Sequence, residues 1–201
     1  MIVDLHFHTK QYSSCSKIDM EEGIKRAKAL GLNGVCITDH DVFACRESAE
    51  KLQEKYGIIV IVGTEIYTKE GDLLCFGLDE VPDQQVSAQH MIDRINQLGG
   101  ACIAAHPFRN NNRGMGEVLR QLTGLHAIES LNGNTSREDN ERAEHIADEL
   151  GIPCTGGSDA HSLERIGVYA TRFFVEIENE SNLIDAIRSG KMMPDRLLAS
   201  I

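Results

Sequence analysis

Short apolar runs separated by polar stretches recur along the chain, and most of the runs are rich in Ile, Val and Leu. Runs of this length and composition are typical of buried strands. They predict strands at residues 2–7, 34–38, 58–66, 73–78, 101–106, 126–131, 153–157 and 172–177.

The segments between these runs carry apolar residues at helical spacing, and several end in glycine, the usual stop signal of a helix. Helices are therefore predicted at residues 20–31, 44–57, 87–99, 116–124, 136–151 and 182–190. Strand and helix alternate with short connections, which predicts a parallel α/β fold, either a barrel or a doubly wound sheet. A glycine-rich GxGxxG turn does not follow the first strand, and this weakens a dinucleotide-binding interpretation.

The composition is that of an ordinary globular protein, with 201 residues, 41% hydrophobic and 25% charged. A chain of this length can bury a sizeable core as one domain. No apolar run approaches the roughly 20 residues of a membrane span, and the N-terminus lacks the basic segment of a signal peptide. The six cysteines include no CxxC pair, which favours a reduced protein. We therefore expect a cytoplasmic protein without a membrane partner.

The formal net charge of −11 bears on the partners. Proteins that bind duplex nucleic acid usually present a basic face, so we expect no duplex nucleic acid among them. A small phosphorylated substrate remains compatible with this charge if bound metal ions supply local positive charge. The sequence gives no indication of the oligomeric state.

Polar residues follow the predicted strands at their carboxyl ends. His6 and His8 end the first run, and residues i and i+2 of a strand point to the same face. The other strand-end residues of this kind are His40, Glu65, His106, Asp159 and His161. In parallel α/β barrels the carboxyl ends of the strands build the active site, so we expect these side chains to meet.

The residue types at these strand ends are metal ligands. Histidine and carboxylates are common ligands of Zn, Mn and Fe ions, and a carboxylate such as Glu65 can bridge two of them. The alternative is a set of polar residues satisfied by loops, which must account for all of them at once. Clustered metal sites usually perform hydrolysis, because one ion lowers the pKa of water and its neighbours neutralise charge on a phosphoryl group.

Six motifs, in this order, resemble those of the PHP superfamily, which is named for polymerase and histidinol phosphatase domains. The motifs are DLHFHT (4–9), ITDHD (37–41), GTEI (63–66), AHPFR (105–109), AIESLNGNTSREDN (127–140) and GGSDAH (156–161). The resemblance implies a distorted (β/α)7 TIM-like barrel formed as a single domain by residues 1–201. It also implies a two- or three-metal site in which a metal-activated hydroxide hydrolyses phosphate mono- or diesters.

The same resemblance implies a role for each strand-end residue. The matching residues are His6, His8 and Asp159 for the first metal, Glu65 as the bridging carboxylate, His106 for the second metal, and His40 and His161 for a third. If no third ion binds, His40 and His161 become candidates for the catalytic acid.

Two positions depart from the family pattern. Cys15 stands where many relatives place an Asp or His ligand of the third metal, and Asn132 lies where some relatives have a His near the second metal. We therefore expect two divalent ions, with three as the upper limit, drawn from Zn, Mn and Fe, with Mg possible.

Three further residues lie in or beside the motifs. Arg109 either grips a substrate phosphate in bidentate fashion or forms a surface ion pair. Asp39 is interpreted as an acceptor that supports His40. Glu129 either orients ligands or water, or it is a buried structural carboxylate.

The predicted function is metal-dependent hydrolysis of a small phosphate ester, with a nucleotide as one candidate, because no inserted cap domain is evident. A histidinol-phosphatase-like phosphomonoesterase is the alternative within this class. A non-catalytic metal-binding regulatory module is a second alternative. A third is an amidohydrolase-like enzyme, which also uses HxH after the first strand but typically needs a bridging lysine where this chain has Glu65.

Overall fold

The computed structural model describes residues 1–197 and contains ten strands and five α-helices there. The strands are β1 Ile2–Phe7, β2 Gly34–Ile37, β3 Ile59–Val62, β4 Thr64–Tyr67, β5 Asp72–Phe76, β6 Ala101–Ala104, β7 Ala127–Asn132, β8 Cys154–Gly157, β9 Ala170–Phe173 and β10 Met192–Asp195. The helices are α1 Met20–Ala29, α2 Arg46–Tyr56, α3 Ala88–Gln97, α4 Arg137–Leu150 and α5 Glu180–Arg188, with 3₁₀ turns at Gly116–Gln121 and Leu163–Arg165.

The strands form two five-stranded sheets, in the orders β10-β9-β1-β2-β3 and β4-β5-β6-β7-β8. Strands β1, β2 and β3 run parallel, as do β6, β7 and β8. In contrast, β5 is antiparallel to both of its neighbours, and β9 is antiparallel to β1 and β10. The fold of residues 1–197 is mixed α/β with two sheets, which confirms the α/β class, whereas the distorted (β/α)7 barrel expected from the sequence is not confirmed.

The division between the sheets falls at Gly63, within the apolar run predicted as one strand at 58–66. A Cβ atom at Gly63 would lie 2.7 Å from the ring of Phe76 and 2.8 Å from the carbonyl oxygen of Cys75. Glycine therefore lets the chain pass close to β5 as it leaves the first sheet for the second. Because of this break, Glu65 is carried by an antiparallel strand.

The two sheets approach each other beside the carboxyl end of β1. The backbone N–H of Asp159 donates to the carbonyl of His6 over 2.7 Å, and isolated bridges join Phe7 to Ala160 and His40 to Glu65. These contacts bring the polar ends of strands from both sheets to one place.

The helices cover the sheets with their apolar faces. Four of them begin at a polar residue whose side chain caps the first turn: Asp19, Ser87, Ser136 and Asn179. In α4, the Ser136 side chain accepts a hydrogen bond from the N–H of Asp139, and Gly151 ends the helix in a left-handed conformation with φ 65°. This confirms the helix predicted at 136–151. The helix predicted at 116–124 is only a 3₁₀ segment, bounded by Gly116 and Gly124 at φ 55° and 79°.

The C-terminal strands differ most from the prediction. β9 begins two residues before the predicted strand at 172–177, and β10 was not predicted because its sequence, MMPD, contains a proline. Pro194 lacks an N–H but is accepted here because β10 is the edge strand of its sheet. None of the helices within residues 1–197 combines the length and apolar content that crossing a membrane requires.

Candidate metal centre

Two imidazoles at the end of β1 face each other in the interior. His6 and His8 are fully buried, and their Nε2 atoms lie 3.1 Å apart. Both nitrogens therefore point at the same small volume, as predicted from their i, i+2 spacing. The Nδ1 atom of His8 has no hydrogen-bond partner in residues 1–197.

Glu129, in β7, fixes the orientation of His6. The Nδ1–H of His6 donates to Glu129 Oε1 over 3.0 Å, which turns Nε2 towards the cluster. A Cβ atom at Gly157 would lie 2.5 Å from Glu129 Oε1 and 2.6 Å from the Cβ of His6, so only glycine lets β8 pass here. Of the two roles considered for Glu129, the structure supports the orienting one.

Glu65 lies at the centre of the cluster. Its Oε2 atom is 3.4 Å from His6 Nε2, 3.3 Å from His8 Nε2 and 2.8 Å from His40 Nδ1. None of these approaches has the direction of an N–H donor, and Oε2 has no hydrogen-bond donor among the described residues. Ligands of one tetrahedral ion stand roughly 3.4 Å apart when the metal–ligand bonds are about 2.1 Å, so the donor set fits a shared cation.

The other oxygen of Glu65 faces His106. Oε1 lies 2.9 Å from His106 Nε2, and Asp72 Oδ2 approaches the same nitrogen to 3.7 Å. His106 adopts a positive φ of 29°, and its backbone N–H donates to Glu129 Oε2 over 3.0 Å. The strained backbone is thus held by the same carboxylate that orients His6, as is common at functional sites.

Asp159 follows β8 and closes the cluster from the opposite side. Its Oδ1 lies 3.2 Å from His8 Nε2 and 3.5 Å from His6 Nε2. Its Oδ2 accepts hydrogen bonds from Arg109 and, over 3.3 Å, from the side-chain amide of Asn132. Asp159 also has a positive φ, 48°, which an aspartate tolerates better than most residues.

The electrostatics of the buried cluster favour a bound cation. Burial alone would raise the pKa of Glu65 and of Asp159, but the neighbouring histidines hold both pKa values well below their usual range, Arg109 assisting at Asp159. Burial would lower the pKa of His6, yet Glu129, Asp159 and Glu65 raise it well above its usual value. Burial lowers the pKa of His8, which keeps that imidazole available as a neutral ligand.

His40 and His161 form the rim of the cluster. Their side chains are 27% and 26% exposed, and their ring centroids lie 4.4 Å and 4.6 Å from that of His8. His161 is oriented by its own loop, since its Nδ1–H donates to the carbonyl of Asp159 over 2.9 Å. With His8, these two residues form a group of nitrogens that could hold a metal ion.

Asp39 does not contact the ring of His40, contrary to the sequence interpretation. Its carboxylate accepts from the N–H and hydroxyl of Thr9, both over 2.7 Å, and from the hydroxyl of Ser13 over 2.6 Å. It therefore holds the loop that follows β1. Cys15, in that loop, is exposed and belongs to none of the metal-capable groups found within residues 1–197.

Asn132 is an organising amide at the base of the site. Its Nδ2 donates to Glu129 Oε2 over 2.9 Å, and its Oδ1 accepts from Arg109 over 2.6 Å and from Thr135 over 3.0 Å. The Asn132 side chain is therefore bound to Glu129 and Arg109, and it links the two residues.

Two residues of the site escaped the sequence reasoning. Asp72 begins β5, and Arg113 lies in the segment after β6. The Nε–H of Arg113 donates to Asp72 Oδ2 over 2.6 Å, and its Nη2 donates to His40 Nδ1 over 3.1 Å. Burial and the nearby Glu65 raise the pKa of Asp72 to about 9, with Arg113 opposing them. The only signal in the sequence was an aspartate directly before an apolar run.

Four overlapping groups of side chains in residues 1–197 have the proximity that metal binding requires. The groups are His8 with His40 and His161, His6 with His106 and Asp159, His6 with His8 and Glu65, and Glu65 with Asp72 and His106. All seven predicted ligands are thus brought together, and Asp72 is added to them. Arg109 lies beside Asp159, with its side chain 14% exposed.

Comparisons with known proteins place this site in a family. The PHP domain family matches residues 4–158, and the PHP-associated family matches residues 137–192. An uncharacterized protein of Methanocaldococcus jannaschii is 33% identical over 142 residues, which is 66% of this chain and 82% of that protein.

Solved structures share the fold at lower identity. A proposed metal-dependent phosphoesterase from Bifidobacterium adolescentis has a TM-score of 0.67 at 19% identity, covering 80% of this chain and 87% of its own. An amidohydrolase from Chromobacterium violaceum with bound sulfate has a TM-score of 0.69 at 18% identity, covering 98% of both chains. Endonuclease Q, in complex with a 27-mer duplex bearing an abasic lesion at the active site, has a TM-score of 0.70 at 21% identity.

The endonuclease comparison corrects one expectation. The match covers 96% of this chain and 58% of endonuclease Q, whose structure contains duplex DNA. The exclusion of duplex nucleic acid on the basis of a net charge of −11 is therefore wrong. Net charge sums over the whole surface, whereas a bound phosphate experiences the local field of the site.

Proposed function

The chain belongs to the PHP domain family, and on that premise we propose that it hydrolyses a phosphate ester with the help of two or three bound divalent metal ions. The observation that carries the proposal is the buried convergence on Glu65. Side chains of His6, His8, His40 and His106 surround its two oxygens, and Oε2 has no hydrogen-bond donor in residues 1–197.

In the proposed reaction, the role of each residue follows from its place in the cluster. His6, His8 and Asp159 would hold one ion, His106 would hold a second, and Glu65 would be a ligand shared by both. Bound ions of this kind lower the pKa of water and neutralise charge on a phosphoryl group.

The partly exposed rim contributes in one of two ways. His40 and His161, together with His8, would hold a third ion, or without that ion they would deliver a proton to the leaving oxygen. Zn, Mn and Fe suit the imidazole-rich part of the site, and Mg is possible where carboxylates dominate.

We propose that Arg109 contacts the substrate phosphate. Its Nε donates to Thr135 and its Nη2 to Asn132 and Asp159, so the guanidinium is held against the cluster by three residues. An arginine oriented in this way presents its remaining donors to an anion with little loss of conformational entropy.

A small soluble phosphate ester, such as a nucleotide, is the proposed substrate, and a histidinol phosphate-like monoester is the alternative. A phosphodiester in damaged DNA is a second candidate, favoured by the likeness to endonuclease Q. We also propose that residues 1–201 act as one domain in a reducing compartment such as the cytoplasm, since all six cysteines are free.

Two rival functions remain to be compared with this one. A non-catalytic metal-binding module would bind metal without turnover. An amidohydrolase-like activity is suggested by the name of the Chromobacterium violaceum protein, although here Glu65 stands where a bridging lysine is typical. Amide or lactone turnover well above phosphoester turnover would favour that rival.

The test is a turnover assay on a panel of substrates. Metal-free protein is reconstituted with Mn, Fe or Zn and offered a nucleotide, histidinol phosphate, an aryl phosphodiester and duplex DNA with an abasic site. We expect phosphoester hydrolysis that requires added metal and is abolished by a chelator. Metal binding without turnover on any substrate would support the non-catalytic module.

The matched pair of variants is His8→Ala and His90→Ala. His8 is fully buried in the cluster, whereas His90 is exposed on α3. We expect His8→Ala to lose metal and activity together, and His90→Ala to keep both. Wild-type metal-dependent turnover by His8→Ala would contradict the assignment.

A further inference from the structure

Asp72 occupies an unusual position for an ionisable residue. It begins β5, opposite Tyr67 of the antiparallel strand β4, and its side chain is fully buried. Its Oδ2 lies 3.7 Å from His106 Nε2, and this nitrogen lies 2.9 Å from Glu65 Oε1. Asp72, His106 and Glu65 thus form a compact buried group around Oε1 of Glu65.

The protein's own hydrogen bonds do not satisfy this group. Within residues 1–197, Asp72 Oδ1 and His106 Nδ1 are buried without a hydrogen-bond partner. A negative charge on Asp72 would be costly, because the carboxyl group is buried and because it lies close to the charge of Glu65. A cation bound between the two carboxylates would offset both costs.

Arg113 provides part of the positive charge but leaves the group incomplete. Its Nε–H binds Asp72 Oδ2 over 2.6 Å, its Nη2 reaches His40 Nδ1, and its guanidinium carbon lies 4.5 Å from the ring centroid of Tyr67. An ion pair with Arg113 accounts for one oxygen of Asp72. It leaves unexplained why the carboxylate lies beside His106 Nε2 and why Oδ1 lacks a donor.

We propose that Asp72, Glu65 and His106 form a metal site in which Asp72 is a direct ligand and Arg113 orients its carboxylate. This site has two carboxylates and one imidazole, whereas the other has two imidazoles, His6 and His8, beside Asp159 and the shared Glu65. Oxygen ligands suit Mn²⁺ and Mg²⁺, whereas imidazole suits Zn²⁺ and Fe²⁺. The two sites therefore differ in metal preference, with Mn²⁺ favoured beside Asp72. This inference rests on the proposed function.

The test compares Asp72→Asn with the matched control Asp148→Asn, which changes an exposed aspartate near the end of α4. Full-length protein is stripped of metal and titrated with Mn²⁺, and binding is followed by calorimetry and by Mn²⁺ electron paramagnetic resonance. We expect Asp72→Asn to lose one Mn²⁺ equivalent, or to bind it at least about tenfold more weakly. Wild-type Mn²⁺ stoichiometry and affinity in Asp72→Asn would overturn the inference.

A measurement on the unaltered protein covers the case in which Asp72→Asn fails to fold. Crystals loaded with Mn²⁺ locate the ion by anomalous scattering. We expect a manganese peak about 2.2 Å from a carboxylate oxygen of Asp72. Manganese peaks that all lie out of bonding range of Asp72 would overturn the inference.

The His8→Ala variant separates this inference from the proposed function. Loss of metal in His8→Ala together with unchanged binding in Asp72→Asn would refute the role of Asp72 alone. A wild-type protein that binds no metal would refute both proposals.

Discussion

The two sides of Glu65 differ in chemistry and in origin. Around Oε2 lie the imidazoles of His6, His8 and His40, which we term the histidine side. Around Oε1 lie His106 and Asp72, which we term the acidic side. The histidine side is built at the ends of the parallel strands β1 and β2, whereas the acidic side depends on the antiparallel strand β5.

The difference shows how one carboxylate can serve two unlike environments. On the histidine side, Glu129 orients His6 by accepting its Nδ1–H. On the acidic side, Arg113 binds Asp72 by donating to its carboxylate. On the histidine side a carboxylate thus accepts a hydrogen bond from an imidazole, and on the acidic side a guanidinium donates one to a carboxylate.

The largest expected effect follows from removing the residue that both sides share. Glu65→Gln takes the negative charge from both, so metal binding falls on both sides and activity drops by more than about 100-fold. The measurement is metal content per chain together with turnover. If Glu65→Gln loses metal from one side only, the carboxylate does not bridge the two sides.

A smaller effect on metal binding is expected from replacing Glu129, the residue that orients His6 on the histidine side. Glu129→Gln retains the size of the side chain but weakens the acceptor of His6, so metal affinity on this side should fall about 10–100-fold while saturating metal restores most turnover. Glu144→Gln, an exposed change on α4, is the control. Equal loss of Mn²⁺ from the acidic side would show that the two sides are not separately supported.

Replacing Arg109 tests whether the substrate phosphate is bound on the histidine side of Glu65. It contacts Asp159, which closes the histidine side, so Arg109→Gln should raise KM by about tenfold with little change in kcat, as expected for one lost charged hydrogen bond. Arg137→Gln, whose side chain is 89% exposed, is the control. A fall in metal affinity with unchanged KM would instead make Arg109 a positioning residue for Asp159.

The smallest effect on the reaction is expected beneath the histidine side, at Asp4. Its Oδ1 accepts from the backbone N–H of Ser158 over 2.9 Å and of His6 over 3.3 Å, and burial raises its pKa to about 6. A raised carboxyl pKa supports folding below its unfolded value of 3.8, and this support is lost as the pH rises through about 6.

Asp4→Asn should therefore raise the free energy of unfolding at pH 8 by up to about 3 kcal/mol, with the gain vanishing below pH 4. Urea unfolding at the two pH values measures this difference. A variant equally destabilised at both would show that the Asp4 carboxylate has a structural role that the amide cannot fill.

The histidine side was predictable from the sequence, whereas half of the acidic side was not. His6, His8 and His40 follow apolar runs whose ends coincide with strand ends, and the parallel pairing of β1 and β2 brings them together. The pairing of β4 with β5 was hidden, because residues 58–66 were interpreted as one strand. Only the contact of Gly63 with Phe76, made in three dimensions, divides it.

Asp72 and Arg113 were missed for the same reason. Asp72 begins an antiparallel strand, and its meeting with Arg113 depends on the path of the chain after His106, which no local pattern describes. Asp39 was misassigned because the residue next to His40 in sequence faces Thr9 and Ser13 in space. The antiparallel pairing of β5, β9 and β10 was not predicted, because pairing direction depends on contacts distant in sequence.

The central claim is that the cluster around Glu65 holds catalytic metal ions. The most direct test is elemental analysis of the protein purified without chelators and without a metal-affinity column. The account predicts at least two equivalents of Mn, Fe or Zn per chain. A protein that remains free of metal after incubation with each of these ions would contradict it.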